Sequence, residues 1–361
     1  LPPFLNNDII LYFSRKEKEM ELSFARTNGE IDEIIDRLLE KTGGIHHPAL
    51  VREIILAALK AGQETAYLAD LKLFNNTMKE MRYTSKIFGQ YRTRKKVSIF
   101  GSARLQDNEP IYQKCVRFSR LLAEKGFMII TGGGGGIMEA GNQGAGSENS
   151  FAVNIRLPYE QLPNRVMLEN PRLITYKYFF TRKVAFVKEA DAIAVFPGGF
   201  GTMDEAMEVF TLIQTGKTSP KPLVLIDDAD GYWNRWFAFI KACMLGKGFI
   251  SGEDFSIFTI TQSEEEAVQV IEDFYRNYHS LRFVNGLLVI RLNKELSADN
   301  IRQLEAEFPE ILVPGTRIVN TLPLPEEIDE PDLLHLDRIM LHFSQQHFGL
   351  LMAFIRRLNL F

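Results

Sequence analysis

The order of apolar and polar positions divides this chain into three stretches. From about residue 16 to 91 apolar residues recur every three or four positions, as in GEIDEIIDRLLEKTGG, HPALVREIILAALKAG and YLADLKLFNNTMKEMRYTSKIF. That spacing puts them on one face of a helix, and no strand-like run interrupts it, so an all-helical arm is predicted. From 97 to about 279 short apolar runs (VSIF, FMIIT, FAVNI, RLIT, AIAVF, PLVLI and IFTI) alternate with helical patterns. Strands apolar on both faces must be covered on both faces. The alternation therefore predicts an α/β fold with a Rossmann-like, doubly wound, mainly parallel sheet. After 280, RFVNGLLVIRL, a helix from Ser297 and the stretch LLHLDRIMLHFSQQHFGLLMAFIRRL predict a small α/β or helical module. The expected domains are residues 1–94, 95–280 and 281–361, with the basic run Arg92 to Lys96 marking the first boundary.

Composition narrows the class. The chain has 361 residues, 45% hydrophobic and 24% charged, with a net charge of −4, so it lacks the basic excess of a general nucleic-acid binder. Its two cysteines, Cys115 and Cys243, lie in apolar helical patterns without Cys-x-x-Cys spacing, which points to core packing in a reducing, cytoplasmic setting. Leu1-Pro2-Pro3-Phe4 lacks a signal pattern, and no apolar run approaches a membrane span. His335, His342 and His347 fall in what reads as a C-terminal helix, and scattered histidines on an apolar helix indicate packing; no metal site is expected. The stripe Ile31, Ile34, Ile35 and Leu38 needs a partner, while the α/β domain already covers both sheet faces. The arm is expected to cross a subunit interface in a homodimer or larger even assembly, with neither nucleic acid nor membrane as partner.

Candidate chemistry sits in the glycine clusters. TGGGGGIMEAGNQGA (131–145) and PGGFGTMDE (197–205) each follow a predicted strand and open a predicted helix, and Gly101-Ser102-Ala103-Arg104 follows the first strand. A lone glycine usually serves a tight turn. Three such turns at the carboxyl ends of parallel strands can line one crevice, with two helix N-termini facing an anion, most simply a phosphate. Neither cluster has the G-x-G-x-x-G of a dinucleotide site, and Gly216-Lys217-Thr218 lacks the first glycine of a P-loop, so a hydride-transfer cofactor is unsupported. Thr202 to Glu205 also reads as a capping box, Thr202 as N-cap and Glu205 three residues on. Glu205 and Glu208 share a helix face near the expected phosphate and need cations, which Arg182 and Lys183 supply. Asp204 is expected to point about 100° from Glu205.

The combination GGGGGIMEA, then TRK, then PGGFGTMDE is similar to the LOG ("Lonely Guy") family of phosphoribohydrolases, often mislabelled lysine decarboxylases; the similarity covers roughly residues 96 to 275. The resemblance implies cleavage of the N-glycosidic bond of a nucleoside 5′-monophosphate, AMP or another ribotide, to free base and ribose 5-phosphate, without metal or organic cofactor. It implies Arg182 and Glu205 as the catalytic pair and Gly199, Gly201 and Thr202 as the phosphate-binding turn. Substrate contacts are further expected from Gly101, Ser102, Gly133, Gly134, Gly135, Met138, Lys183, Pro197, Gly198 and Glu208. A decarboxylase would need a Schiff-base lysine, and the glycine loops contain none. Two other readings stay open: a nucleotide sensor that binds without cleaving, and a scaffold acting through the helical arm.

Overall fold

The computed structural model describes residue 24, residues 26–157 and residues 162–361. The part of the expected arm over residues 16–23, and the opening Leu1 to Phe4, lie outside the described residues. The chain divides into two compact units between Met78 and Lys79.

The first unit holds helices α1 (Glu30–Thr42) and α2 (Pro48–Glu64) and the start of α3 (Leu68–Phe88). Within it Arg52 of α2 pairs with the buried Asp32 of α1, and Ile35 and Leu56 are buried. The other members of the apolar stripe are not: Ile31, Ile34 and Leu38 are 44%, 45% and 54% exposed.

The second unit alternates strand and helix: β1 (Lys96–Phe100), α4 (Pro110–Glu124), β2 (Met128–Thr131), α5 (Ile137–Ala145), β3 (Ser150–Ile155), β4 (Leu173–Tyr176), α6 (Phe179–Lys188), β5 (Ala192–Val195), α7 (Phe200–Gln214), β6 (Leu223–Ile226), α8 (Tyr232–Cys243), β7 (Thr259–Thr261) and α9 (Glu264–Phe274). All seven expected strands form, in one sheet of order β4-β3-β2-β1-β5-β6-β7 with every pairing parallel. The pleat sends neighbouring residues to opposite faces. Val97, Ile99, Ile129, Ala192 and Ala194 pack with α4, α5 and α9 on one side, whereas Phe100, Ile130, Ile193 and Val195 join a second core on the other. Both faces are covered, as in a doubly wound fold.

The chain continues through β8 (Tyr278–Val284), β9 (Leu287–Leu292), α10 (Ala298–Glu307), β10 (Val319–Asn320), β11 (Asp337–Leu341) and α11 (Phe348–Leu358). The strands form a second, antiparallel sheet of order β10-β11-β9-β8, whose apolar residues join the second core of the large sheet. The C-terminal apolar stretch is thus a strand followed by a helix. His335 precedes β11, His342 follows it and His347 caps α11, correcting the expectation of one helix bearing all three. Cys115 is buried as expected, but Cys243, at the end of α8, is exposed. No helix among the described residues is long and apolar enough to cross a membrane.

Candidate active site

Strand β1 lies between β2 and β5, in register Val97 to Ile129 and Val97 to Ala192. The three parallel strands deliver residues 101–104, 132–136 and 196–199 side by side at their carboxyl ends. Strand order reverses at β1, and such a switch point opens a crevice.

The glycines let these loops interlock. Ser102 N donates to the Pro197 carbonyl at 3.0 Å, and Ile137 N donates to the Ser102 carbonyl at 2.9 Å. Gly136 has φ +63°, and a Cβ there would overlap the Ser102 carbonyl. At Gly198 a Cβ would strike Thr202 Oγ1 and come within 2.8 Å of Ser102 N. The Tyr232 hydroxyl holds the same turn by donating to the Gly198 carbonyl at 2.7 Å. The first N–H of α5 goes to the β1 loop, while those of Met138 and Glu139 precede the helix ladder, which starts at Ala140 N.

Between the loops lies a cleft of about 870 Å³, within the usual size of a small-ligand site. Of the expected residues, Gly101, Ser102, Met138, Arg182, Gly198, Gly199, Gly201, Thr202 and Glu205 line it. Gly133, Gly134, Gly135, Lys183, Pro197 and Glu208 do not. The Gly133 and Gly134 carbonyls instead accept hydrogen bonds from Asn164, and the Pro197 carbonyl is taken by Ser102.

Helix α7 begins at Phe200 with Gly199 as N-cap and no side-chain cap. The first intrahelical bond runs from Met203 N to Gly199 O at 3.1 Å, so the N–H groups of Phe200, Gly201 and Thr202 precede the ladder. This corrects the capping-box reading: Thr202 and Glu205 lie inside the helix, and neither caps it. What remains is an N-terminus suited to an anion.

The charges beside it are arranged in two layers. Lys183 reaches from α6 to α7 and places Nζ 2.9 Å from Asp204 Oδ2, 3.2 Å from Glu205 Oε2 and 2.9 Å from Glu208 Oε2. Burial alone would lower its pKa, but the hydrogen bonds to Asp204 and Glu208 and the charge of Glu205 hold it above the usual lysine value. Lys183 is therefore a hub for three carboxylates rather than a phosphate ligand. Asp204, expected to face away, shares that hub and lines the cleft. Arg182 lies deeper, with Nε donating to the Val153 carbonyl at 2.9 Å and its guanidinium 5.1 Å from the Phe186 ring centre. A Cβ at Gly132 would come within 2.6 Å of Arg182 Nη2, so that glycine makes room for the guanidinium.

Glu205 is 8% exposed, and its Oε2 has no polar partner among the described residues beyond the Lys183 ion pair. Burial raises its pKa above the usual carboxylate value, against the pull of Lys183 and Arg182. A buried carboxylate with spare acceptor capacity, flanked by an uncapped helix N-terminus, can bind a proton or face a developing cation.

The cleft also contains Arg104, Gly132, Phe179, Phe200 and Tyr232, which the sequence did not single out. Arg104, Gly132 and Phe200 lay within the quoted motifs without a role of their own. Phe200 is 96% exposed at the mouth. The Tyr232 tie spans 34 residues, and no local pattern announces it.

The sequence matches the family described as "Possible lysine decarboxylase" over residues 135–271. It is 28% identical over 184 residues to "Cytokinin riboside 5'-monophosphate phosphoribohydrolase LOG7" of Arabidopsis thaliana, covering 50% of this chain and 82% of the relative. With "Cytokinin riboside 5'-monophosphate phosphoribohydrolase LOG2" of the same plant the identity is 24% over 182 residues, covering 50% and 84%. "Probable cytokinin riboside 5'-monophosphate phosphoribohydrolase LOGL3" of Oryza sativa subsp. japonica is 28% identical over 185 residues, covering 50% and 85%.

Proposed function

With a LOG-family domain as the core of this chain, we propose that the protein hydrolyses the N-glycosidic bond of a nucleoside 5′-monophosphate to free base and ribose 5-phosphate. The observation that carries this reading is the placement of buried Glu205 about one helical turn beyond the uncapped N-terminus of α7, in one cleft with Arg182. A ligand that sets its phosphate on the N–H groups of Phe200, Gly201 and Thr202 brings its ribose toward the carboxylate.

Glycosidic hydrolysis passes through an oxocarbenium-like sugar. Ionised Glu205 stabilises that charge and orients a water toward the anomeric carbon. As the water's oxygen bonds to that carbon and the bond to the base nitrogen breaks, Glu205 accepts the water's proton, and the base leaves with the bond's electron pair to be protonated. A raised pKa suits a carboxylate to this role because it is the better base. Arg182 fixes the charge balance beside Glu205, and the helix terminus anchors the remote phosphate.

A Schiff-base decarboxylase is less well supported, since no lysine is among the described residues lining the cleft, and Lys183 is engaged by three carboxylates. The test is incubation with a panel of nucleoside monophosphates, separating free base by chromatography, with AMP compared against adenosine. The proposal expects release from at least one monophosphate and little from its nucleoside. Equal turnover of AMP and adenosine refutes the phosphate reading, and binding without release favours the sensor.

A further inference from the structure

Helix α6 presents both Arg182 and Lys183 in its opening turns, where two cations oppose the helix dipole. Its N-cap, Tyr178, supplies no side-chain hydrogen bond. The missing anion comes from far away in sequence. Glu80, in the later part of α3, accepts a hydrogen bond from Lys177 N at 2.6 Å through Oε1 and from Thr181 Oγ1 at 2.5 Å through Oε2. One turn further along α3, buried Thr84 shares a 2.5 Å hydroxyl contact with Tyr176, the last residue of β4. The Glu80 carboxylate thus bridges the residue before the N-cap and the residue directly before Arg182.

We infer that Glu80 is a positioning residue: it holds the first turn of α6 and so sets where Arg182 stands in the cleft. The inference rests on the phosphoribohydrolase reading for its catalytic consequence, but not for the bridge itself. Among the described residues the Arg182 side chain donates one hydrogen bond, to the Val153 carbonyl, and that bond fixes Nε without fixing the helix start. A turn freed from Glu80 leaves the guanidinium tethered at its tip and loose at its root. The segment before the sheet thereby contributes to the site without lining it.

The experiment compares wild type, Glu80→Ala, Glu80→Gln and Thr181→Val in the full-length chain by two readouts. Amide hydrogen exchange over residues 177–183 reads the bridge: Glu80→Ala should speed it by about tenfold or more, because a carboxylate acceptor is removed from the helix start. Base release reads the coupling: kcat should fall by about tenfold with KM nearly unchanged, since misplacement of a group acting in the transition state lowers kcat. Glu80→Gln, which can still accept from Lys177 N, should recover part of both effects. Thr181→Val should reproduce a share of the Glu80→Ala loss and add little to it when the two are combined. Faster exchange with unchanged kcat, or a kcat loss that merely follows the folded fraction, overturns the positioning role. Unchanged exchange overturns the bridge. A wild type that releases no base from any nucleotide sinks the function proposed above, while the exchange readout still decides the bridge.

Discussion

Replacing Glu205 by Gln separates charge from shape. The amide has nearly the same volume and helix propensity, Glu205 caps nothing, and Lys183 keeps Asp204 and Glu208 at 2.9 Å. What is lost is the negative charge in the cleft. At an effective dielectric of about 20, a full charge pair about 4 Å apart is worth about 4 kcal/mol. Partial charge development in the transition state lowers this, so the expected loss in kcat is about 10²–10³-fold. Stability should not follow. Burial holds the folded pKa above the ordinary 4.5, so the folded state retains a proton that the unfolded chain releases. The stability this gives is full below the unfolded value and is lost as pH rises through the folded one, so ionised Glu205 is a burden at neutral pH. Glu205→Gln should leave the Tm at pH 7 unchanged or raised, and wild-type kcat should fall on the acid side with a midpoint above 4.5. The assay is chromatographic release of base from the best nucleotide of the panel, with melting curves on the same samples. Turnover within about threefold of wild type, or a clear drop in Tm, would refute the reasoning.

Two further outcomes follow from the geometry. Gly198→Ala should destabilise by about 1–3 kcal/mol and abolish base release, because its Cβ meets Thr202 Oγ1 and Ser102 N; melting and turnover check it. For the half-exposed Ile31, Ile34 and Leu38 we propose burial against a second copy of the chain, so Ile34→Glu should lower the mass seen by light scattering while changing monomer stability by no more than about 0.5 kcal/mol. An unchanged mass would oppose that assembly.

The inner strands β1, β2, β3, β5 and β6 were legible because parallel strands buried throughout read as largely apolar runs. The edge strands β4 and β7, only partly buried, were legible from their place in the alternation. PGGFGT was legible because glycine at a strand-to-helix junction signals close approach, and Gly198 is hemmed in by Thr202 and Ser102. The helix start was not: Thr-x-x-Glu mimics a capping box, but Gly199 occupies the N-cap and Thr202 Oγ1 lies against Gly198. The Lys183 hub joins two helices, so spacing along either one conceals it. Glu80 lies 97 residues from the amide it accepts from. The three histidines misled because a continuous apolar stretch hides the break at Gln345, whose φ is +58°.

The central position of β1 also bears on how the site comes into being during folding. Its partners, Met128 to Ile130 on one side and Ala192 to Val195 on the other, arrive from distant parts of the chain, and the loops of the cleft are joined only once both have docked. Closing connections of that length costs entropy before any contact repays it, so no short fragment of this protein can assemble the cleft in isolation. A ligand that fits the finished cleft should therefore select the completed sheet over every partly paired one, and the melting point of the whole domain becomes a reporter of occupancy.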